Sequence, residues 1–463
     1  MNVVEANYSK YQLAEASNNP LVAALPEPLD PKKMVQATSK RIIVPEKVLE
    51  MGDFWRKTII EGMRETYLPD PDFLPLYHAI NVVLFSGYLS RNPLSSETMS
   101  LGYRVATDQK LCLSVNDTVC TAILLMGLSG RGKTLAVRRV LSLLPQVIRH
   151  TEFNGASFQH DQLVYVCMEV AGNKKQRGFL ANFFFAVDEA LGTTYFKEHC
   201  VKSADVSTML KHARLVAIRH SIGLIFVDEI QRCVSSSSEA EWTTLNFIES
   251  VFNAIRVPVV SAGTYGAAPL FDKTMSTTRR LTSGRTFDYN RLSGDTGYWK
   301  RLVDAFYYPE LLKKDFRFNE SISAVAHDLS QGLPGVLARL MTRSYDYAIE
   351  SGEEKISVDL MRQVFDLQFE ALKPALKALK TGNYGGYEDL ARPRGHLVDL
   401  NSTSASDNTR EVFAIMENPD DPVIAVGEPT GQYFEPKSDL RQLIGKSSDE
   451  IDQILADRLE AKT

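Results

Sequence analysis

Residues 127–134 read GLSGRGKT and fit the pattern G-x-x-x-x-G-K-[ST] without a mismatch. Three glycines, a lysine and a threonine do not fill a core; they are residue types that grip phosphate. Glycines at 127, 130 and 132 let the backbone curl until successive N–H groups face inward, and a helix starting there adds its partial positive charge. Gly127, Leu128, Ser129, Gly130, Arg131, Gly132, Lys133, Thr134 and Leu135 would thus wrap a nucleotide triphosphate. Lys133 reaches the β- and γ-phosphates, and the Thr134 hydroxyl is a ligand for Mg2+. The cofactors this chemistry calls for are ATP and Mg2+.

A second element must hold the metal and prepare water. The apolar run LIFVDEI ends in Asp228 and Glu229. Asp228 is placed to bind Mg2+, and Glu229 to polarise the attacking water as general base. An acidic pair at a strand end also serves as a helix cap, so the pair acquires meaning only beside the glycine loop. VPVVSAGT ends in Thr264, whose hydroxyl would lie beside the γ-phosphate if its strand neighbours the loop; a turn-initiating threonine is the other reading. Arg279 and Arg280, in STTRRLTSGR, lie too far along to belong to the loop. They fit a role in trans on a neighbour's γ-phosphate, or a solvated surface pair.

The elements that would position these residues alternate. TAILLM, LVYVCMEV, GLIFVDEI, VPVVSAGT and, more weakly, RTFDYN read as strands. The first four are dense in Val, Ile, Leu or Phe, as strands buried on both faces are. Amphipathic stretches between them predict an α/β fold with a parallel five-stranded sheet. Four segments after Asp295, among them GYWKRLVDAFYYPELL and PGVLARLMTRSYDYAIESG, carry 3.6-residue periodicity without a strand. The expected organisation is an N-terminal extension over 1–75, an α/β core over 76–294, a helical lid over 295–380 and an irregular C-terminal tail over 381–463.

Bulk properties narrow the partners. The 52 basic and 57 acidic residues leave a net charge of −5, so nucleic-acid binding would have to rest on local patches. The five cysteines lack CxxC or CxxH spacing, and the eight histidines lack H-x-x-x-H, which argues against a structural zinc site. No apolar run approaches the ~20 residues of a membrane helix, and the N-terminus lacks a signal-peptide pattern. A soluble, cytoplasmic protein with no membrane partner is expected.

With these motifs in order, the chain resembles an AAA+ ATPase, and more narrowly the TnsC/TniB family, the ATPase regulators of Tn-seven-type transposons. NPLVAALP, GYLSRNP, LLPQVIRHTEF, GLIFVDEIQ, VPVVSAGT and LSQGLPGVLARL carry the similarity, which runs from about residue 15 to about 380. It implies a P-loop AAA+ domain followed by an all-helical lid, and a homo-oligomeric ring or helical filament on double-stranded DNA in the bacterial cytoplasm. Its partners would be a target selector of TnsD/TniQ type and transposase subunits of TnsA/TnsB type. Partner binding is also expected of the N-terminal extension and, beyond the resemblance, of the C-terminal tail, a flexible arm ending in a short amphipathic helix. No acidic triad for cutting or joining DNA is seen. The bore-lining loop of such proteins maps onto AGNKKQRGF, making Lys174, Lys175 and Arg177 the candidate phosphate contacts, independent of base sequence. Ser207 or Thr208 in KSADVSTMLKHAR is a second candidate. One departure is plain: three residues after Gly332, where many AAA+ lids carry a nucleotide-sensing arginine, stands Gly335, with Arg339 a turn beyond. A DNA-independent signalling or scaffold ATPase is the alternative reading.

Overall fold

In the computed structural model, residues 3–106, 121–170, 176–201, 203–234, 257–271 and 282–391 are described, and all lie in one compact unit. Eight strands are described: β1 (Val3–Glu5), β2 (Ala122–Gly127), β3 (Val147–Phe153), β4 (Ala156–Leu163), β5 (Tyr165–Glu169), β6 (Leu224–Asp228), β7 (Val259–Gly263) and β8 (Thr286–Tyr289). Five of them form one sheet in the order β5-β6-β7-β2-β8, and every pair in it is parallel. This is the α/β sheet that the five apolar runs predict, and its topology is that of a P-loop AAA+ fold. Strand β2 does not lie beside β5, the next of these strands in sequence. It sits between β7 and β8, which brings the ends of β2, β6 and β7 together.

Every residue of β2, β6 and β7 is buried. Because successive side chains point to opposite faces, these runs feed two cores. Leu124, Met126, Ile225, Val227 and Val259 pack under the helices Gln176–Leu191 and Val206–Arg219, against Phe183, Phe184, Met209 and Ala213. Ile123, Leu125, Leu224, Phe226, Val260 and Ala262 face the other way, toward the helices Phe73–Leu89 and Lys133–Leu141.

The N-terminal region contributes to that second core. Leu21, Val22, Leu25, Met34 and Val35 are buried in it. Asn19 fixes the entry: its carboxamide accepts from the Leu21 N–H at 3.0 Å and donates to the Tyr88 carbonyl at 2.8 Å. A second sheet, β1-β3-β4, is absent from the expected strands. Its β3–β4 hairpin turns at Asn154-Gly155, both with positive φ, and asparagine-glycine is the strongest two-residue hairpin signal.

After β8 come the lid helices Gly297–Asp304, Glu320–Ser330, Pro334–Glu350 and Val358–Gln368. Thr296, Asn319 and Ser357 cap three of them, each side chain accepting from the N–H three residues on. Their shared core holds Trp299, Leu340, Met341, Tyr345 and Met361, and also Ile60, Met63 and Leu68 from the N-terminal region. Beneath it lies the fully buried Arg56, whose guanidinium grips both Glu354 oxygens at 2.9 and 2.8 Å and also donates to Asp53 at 2.6 Å. Among the described residues no helix is long and apolar enough to cross a membrane.

Candidate functional site

The glycine loop joins β2 to the helix Lys133–Leu141, and its glycines are required for different reasons. A Cβ on Gly127 would fall 2.2 Å from the Tyr289 carbonyl oxygen, so the loop's root lies flush against β8. Gly130 and Gly132 have φ of 75° and 102°, where side chains are disfavoured, with open space where a Cβ would project. The result is a curled backbone that leads into a helix N-terminus.

Lys133 is buried, and its ammonium donates to the carbonyls of Gly127 at 3.0 Å and Leu128 at 2.8 Å. Desolvation pushes its pKa down to about 8, against the opposing pull of Asp228 and Glu229, while Arg131 adds to the depression. Among the described ion pairs none involves Lys133. A buried cation with only carbonyl partners, at the mouth of a glycine cradle, fits a polyphosphate anion. Thr134, half-buried, follows it on the same helix.

Arg131 does something the sequence does not show. Its side chain leaves the phosphate loop and is buried against Asp70 at 2.5 Å and Asp72 at 3.6 Å. It also donates to the Asn290 carbonyl at 2.7 Å and lies 5.1 Å from the Tyr289 ring centroid. Only its backbone belongs to the phosphate cradle; the side chain bolts that cradle to the N-terminal region. The signal for it in the sequence is the acidic pair in PDPD at 69–72, within the segment expected to form the N-terminal extension.

Parallel pairing sets the other candidates beside the loop. Met126 pairs with Gly263, and Val227 with Ser261, so Asp228 and Thr264 emerge on the strands next along from Gly127. Asp228 is buried and accepts the Glu229 N–H at 2.9 Å. Glu229 is half-buried and sits in the left-handed region, φ 59° and ψ 39°, a conformation that persists in a non-glycine residue only when its surroundings impose it. Thr264 begins a short 3-10 turn, yet its hydroxyl makes no capping bond. Among the described residues no group of three or more His, Cys, Asp or Glu could hold a metal. One carboxylate and one hydroxyl still suit Mg2+, which keeps waters and takes phosphate oxygens as further ligands.

The lid meets the loop directly. The Gly335 N–H donates to the Gly130 carbonyl at 2.9 Å, and a Cβ on Gly335 would come within 3.1 Å of that oxygen. The position of the missing arginine is thus one where backbone touches backbone. Arg339 is turned away, 4.7 Å above the Phe369 ring and bonded to the Gln368 carbonyl.

Lys174, Lys175, Arg279 and Arg280 fall outside the described residues. Arg177 donates to the carbonyls of Cys200, Val201 and Ala204. Ser207 and Thr208 bond to Asp205, the cap of their helix.

The fold is that of a P-loop module of AAA type. Residues 117–271 match the family model described as AAA domain. No curated protein matches the chain. Among solved structures it is similar to a Walker-type ATPase of Pyrococcus abyssi, at 12% identity over 62% of this chain and 78% of that one, with a TM-score of 0.35. Drosophila ORC bound to DNA matches at 14% identity, covering 72% and 70% with a TM-score of 0.37. The ORC2 protein of Aeropyrum pernix, solved as ADPNP-ADP complexes, matches at 15%, covering 69% and 93% with a TM-score of 0.36. Likeness at this level carries nothing about partners.

Proposed function

We propose that this chain is an ATP-dependent regulator of DNA transposition, which assembles on target DNA as a ring or filament and links a target selector to the transposase. The observation that carries the ATP-dependent part is the meeting of the Lys133 ammonium, Asp228, Glu229 and Thr264 at neighbouring strand ends around a curled glycine loop. In this reading ATP with Mg2+ supplies the hydrolysable phosphate. Lys133 orients its oxygens, Thr134 and Asp228 hold the metal, and Glu229 takes the proton of the attacking water. Arg279 and Arg280 act in trans on a neighbour's nucleotide, so hydrolysis follows assembly. The transposition part rests on the resemblance in motifs that run from about residue 15 to about 380. Lys174, Lys175 and Arg177 are the proposed DNA contacts.

Imaging the purified chain with duplex DNA and a non-hydrolysable ATP analogue tests this reading. Rings or filaments that need both ligands are expected; their absence overturns it. The net charge of −5 and the engagement of Arg177 with three carbonyls favour a second reading, a signalling ATPase that assembles without DNA. Salt separates the two. Phosphate contacts predict DNA affinity that falls steeply between about 50 and 200 mM salt, whereas the second reading predicts no DNA affinity at any salt.

A further inference from the structure

Glu229 is the residue asked to handle a proton, yet nothing in its own strand aims it, because the chain leaves the sheet there in a left-handed turn. That turn carries the following residues back across the end of β7. Gln231 lands between two parts of the site. Its Nε2 donates to the Glu229 Oε2 at 2.7 Å, and its Oε1 accepts the Thr264 N–H at 3.1 Å. Only one orientation of the carboxamide satisfies both partners. Flipped by half a turn, it would set oxygen against carboxylate and NH2 against N–H.

The approach has been given room. A Cβ on Gly263 would sit 2.9 Å from the Gln231 oxygen and 2.5 Å from the Ile230 side chain, so a glycine at the end of β7 lets the bridge cross. On the far side of Glu229, Arg232 stands 3.6 Å from the same carboxylate oxygen and donates to the Val170 carbonyl at 3.3 Å. Arg232 is exposed and Gln231 half-buried, so the carboxamide is the better-shielded of the two restraints.

We propose that Gln231 is a positioning residue for ATP hydrolysis, fixing the Glu229 carboxylate to the backbone of Thr264 so that the base and the end of β7 keep one geometry. The proposal rests on the hydrolysis reading above. It adds a residue which neither the glycine-loop motif nor the acidic pair includes. Because β7 pairs with β2, the strand that ends in the phosphate loop, the carboxylate is thereby referenced to the loop through one side chain and one strand.

The test uses the full chain with ATP and Mg2+, measuring kcat and KM from pH 6 to 9, and Kd for a non-hydrolysable analogue. Gln231→Ala is expected to lower kcat about 10- to 100-fold, the scale of a misplaced catalytic group, with Kd changed by less than about twofold. Gln231→Glu places two carboxyls together. The introduced one can imitate the carboxamide only while it carries a proton, which its neighbour's charge favours toward low pH. Its kcat relative to the unsubstituted chain is therefore expected to climb as the pH falls, a response that mere loss of packing would not give. Unchanged kcat in Gln231→Ala, a parallel loss of nucleotide binding, or a flat ratio for Gln231→Glu would each overturn the role of Gln231. An unsubstituted chain without Mg2+-dependent turnover would overturn the hydrolysis reading and this role together.

Discussion

Lys133 is held at a cost in the free protein. Its pKa is pushed down to about 8 by desolvation, so between that value and the unfolded-state pKa of about 10.4 the native state binds fewer protons than the unfolded one. Stability contributed by this group therefore rises with pH across that window and is least below about 8. Lys133→Ala is accordingly expected to abolish nucleotide binding, read by titration calorimetry, without lowering the thermal midpoint at pH 7. A lowered midpoint would mean that its two carbonyl contacts are worth more than its desolvation. Glu229→Gln separates binding from turnover. The amide keeps the shape and loses the base, so kcat is expected to fall by about 100-fold or more while analogue affinity stays within about twofold. Persistent assemblies on DNA are the accompanying expectation under the transposition reading, and a filament-lifetime measurement checks it.

At the scale of elements, the helix Pro334–Glu350 touches the glycine loop backbone to backbone, through the Gly335 N–H and the Gly130 carbonyl. An arginine there would reach a phosphate with a side chain; here a glycine reaches the loop with its backbone. Gly335→Leu inserts four carbons where a single Cβ already lies 3.1 Å from the Gly130 oxygen. The helix must then withdraw and release its N–H bond to the loop. The expected outcome is nucleotide affinity weakened by about tenfold, the worth of one such hydrogen bond, with the helical content of the lid unchanged by circular dichroism. Unaltered affinity would show that lid and loop are energetically independent. The β3–β4 hairpin was also legible at this scale, from Asn154-Gly155, although its alternating, largely polar strands lack the apolar density by which the five central strands announce themselves.

At the scale of the molecule, the N-terminal region is tied to the sheet's second core, to the lid core and to the loop. Arg56 joins it to the lid, and the Asp70–Arg131 pair joins it to the phosphate site. Removing Arg56 leaves the buried Glu354 carboxylate with Lys313 as its remaining partner, so Arg56→Ala is expected to cost about 3 kcal/mol in denaturant unfolding, the low end for breaking a buried pair. The Arg56 guanidinium, ahead of smaller contributions from the Lys313 backbone and charge, holds the Glu354 carboxyl below its ordinary range. A lowered native pKa stabilises above the unfolded-state value of about 4.3 and ceases to do so as pH falls through the native one. Loss of this contribution is therefore confined to acid, below about pH 4, and Glu354→Gln should flatten that part of the stability profile. An unchanged acid limb would exclude the pair as its source.

What the residues alone determined was everything encoded within a few positions of itself. The loop GLSGRGKT, the strand ending in Asp228 and Glu229, and the 3.6-residue periods after Asp295 depend on spacing, backbone freedom and hydrophobic pattern, which are local quantities. The strand order, the burial of Leu21 and Val22, the diversion of Arg131 to Asp70, and the bridge from Glu229 through Gln231 to Thr264 join residues that are remote in sequence or cross between strands. Such contacts exist only after the sheet has chosen β7 as the neighbour of β2. No local pattern prices one strand pairing against another, because that choice is settled by the joint packing of two cores and the closure of the chain between them.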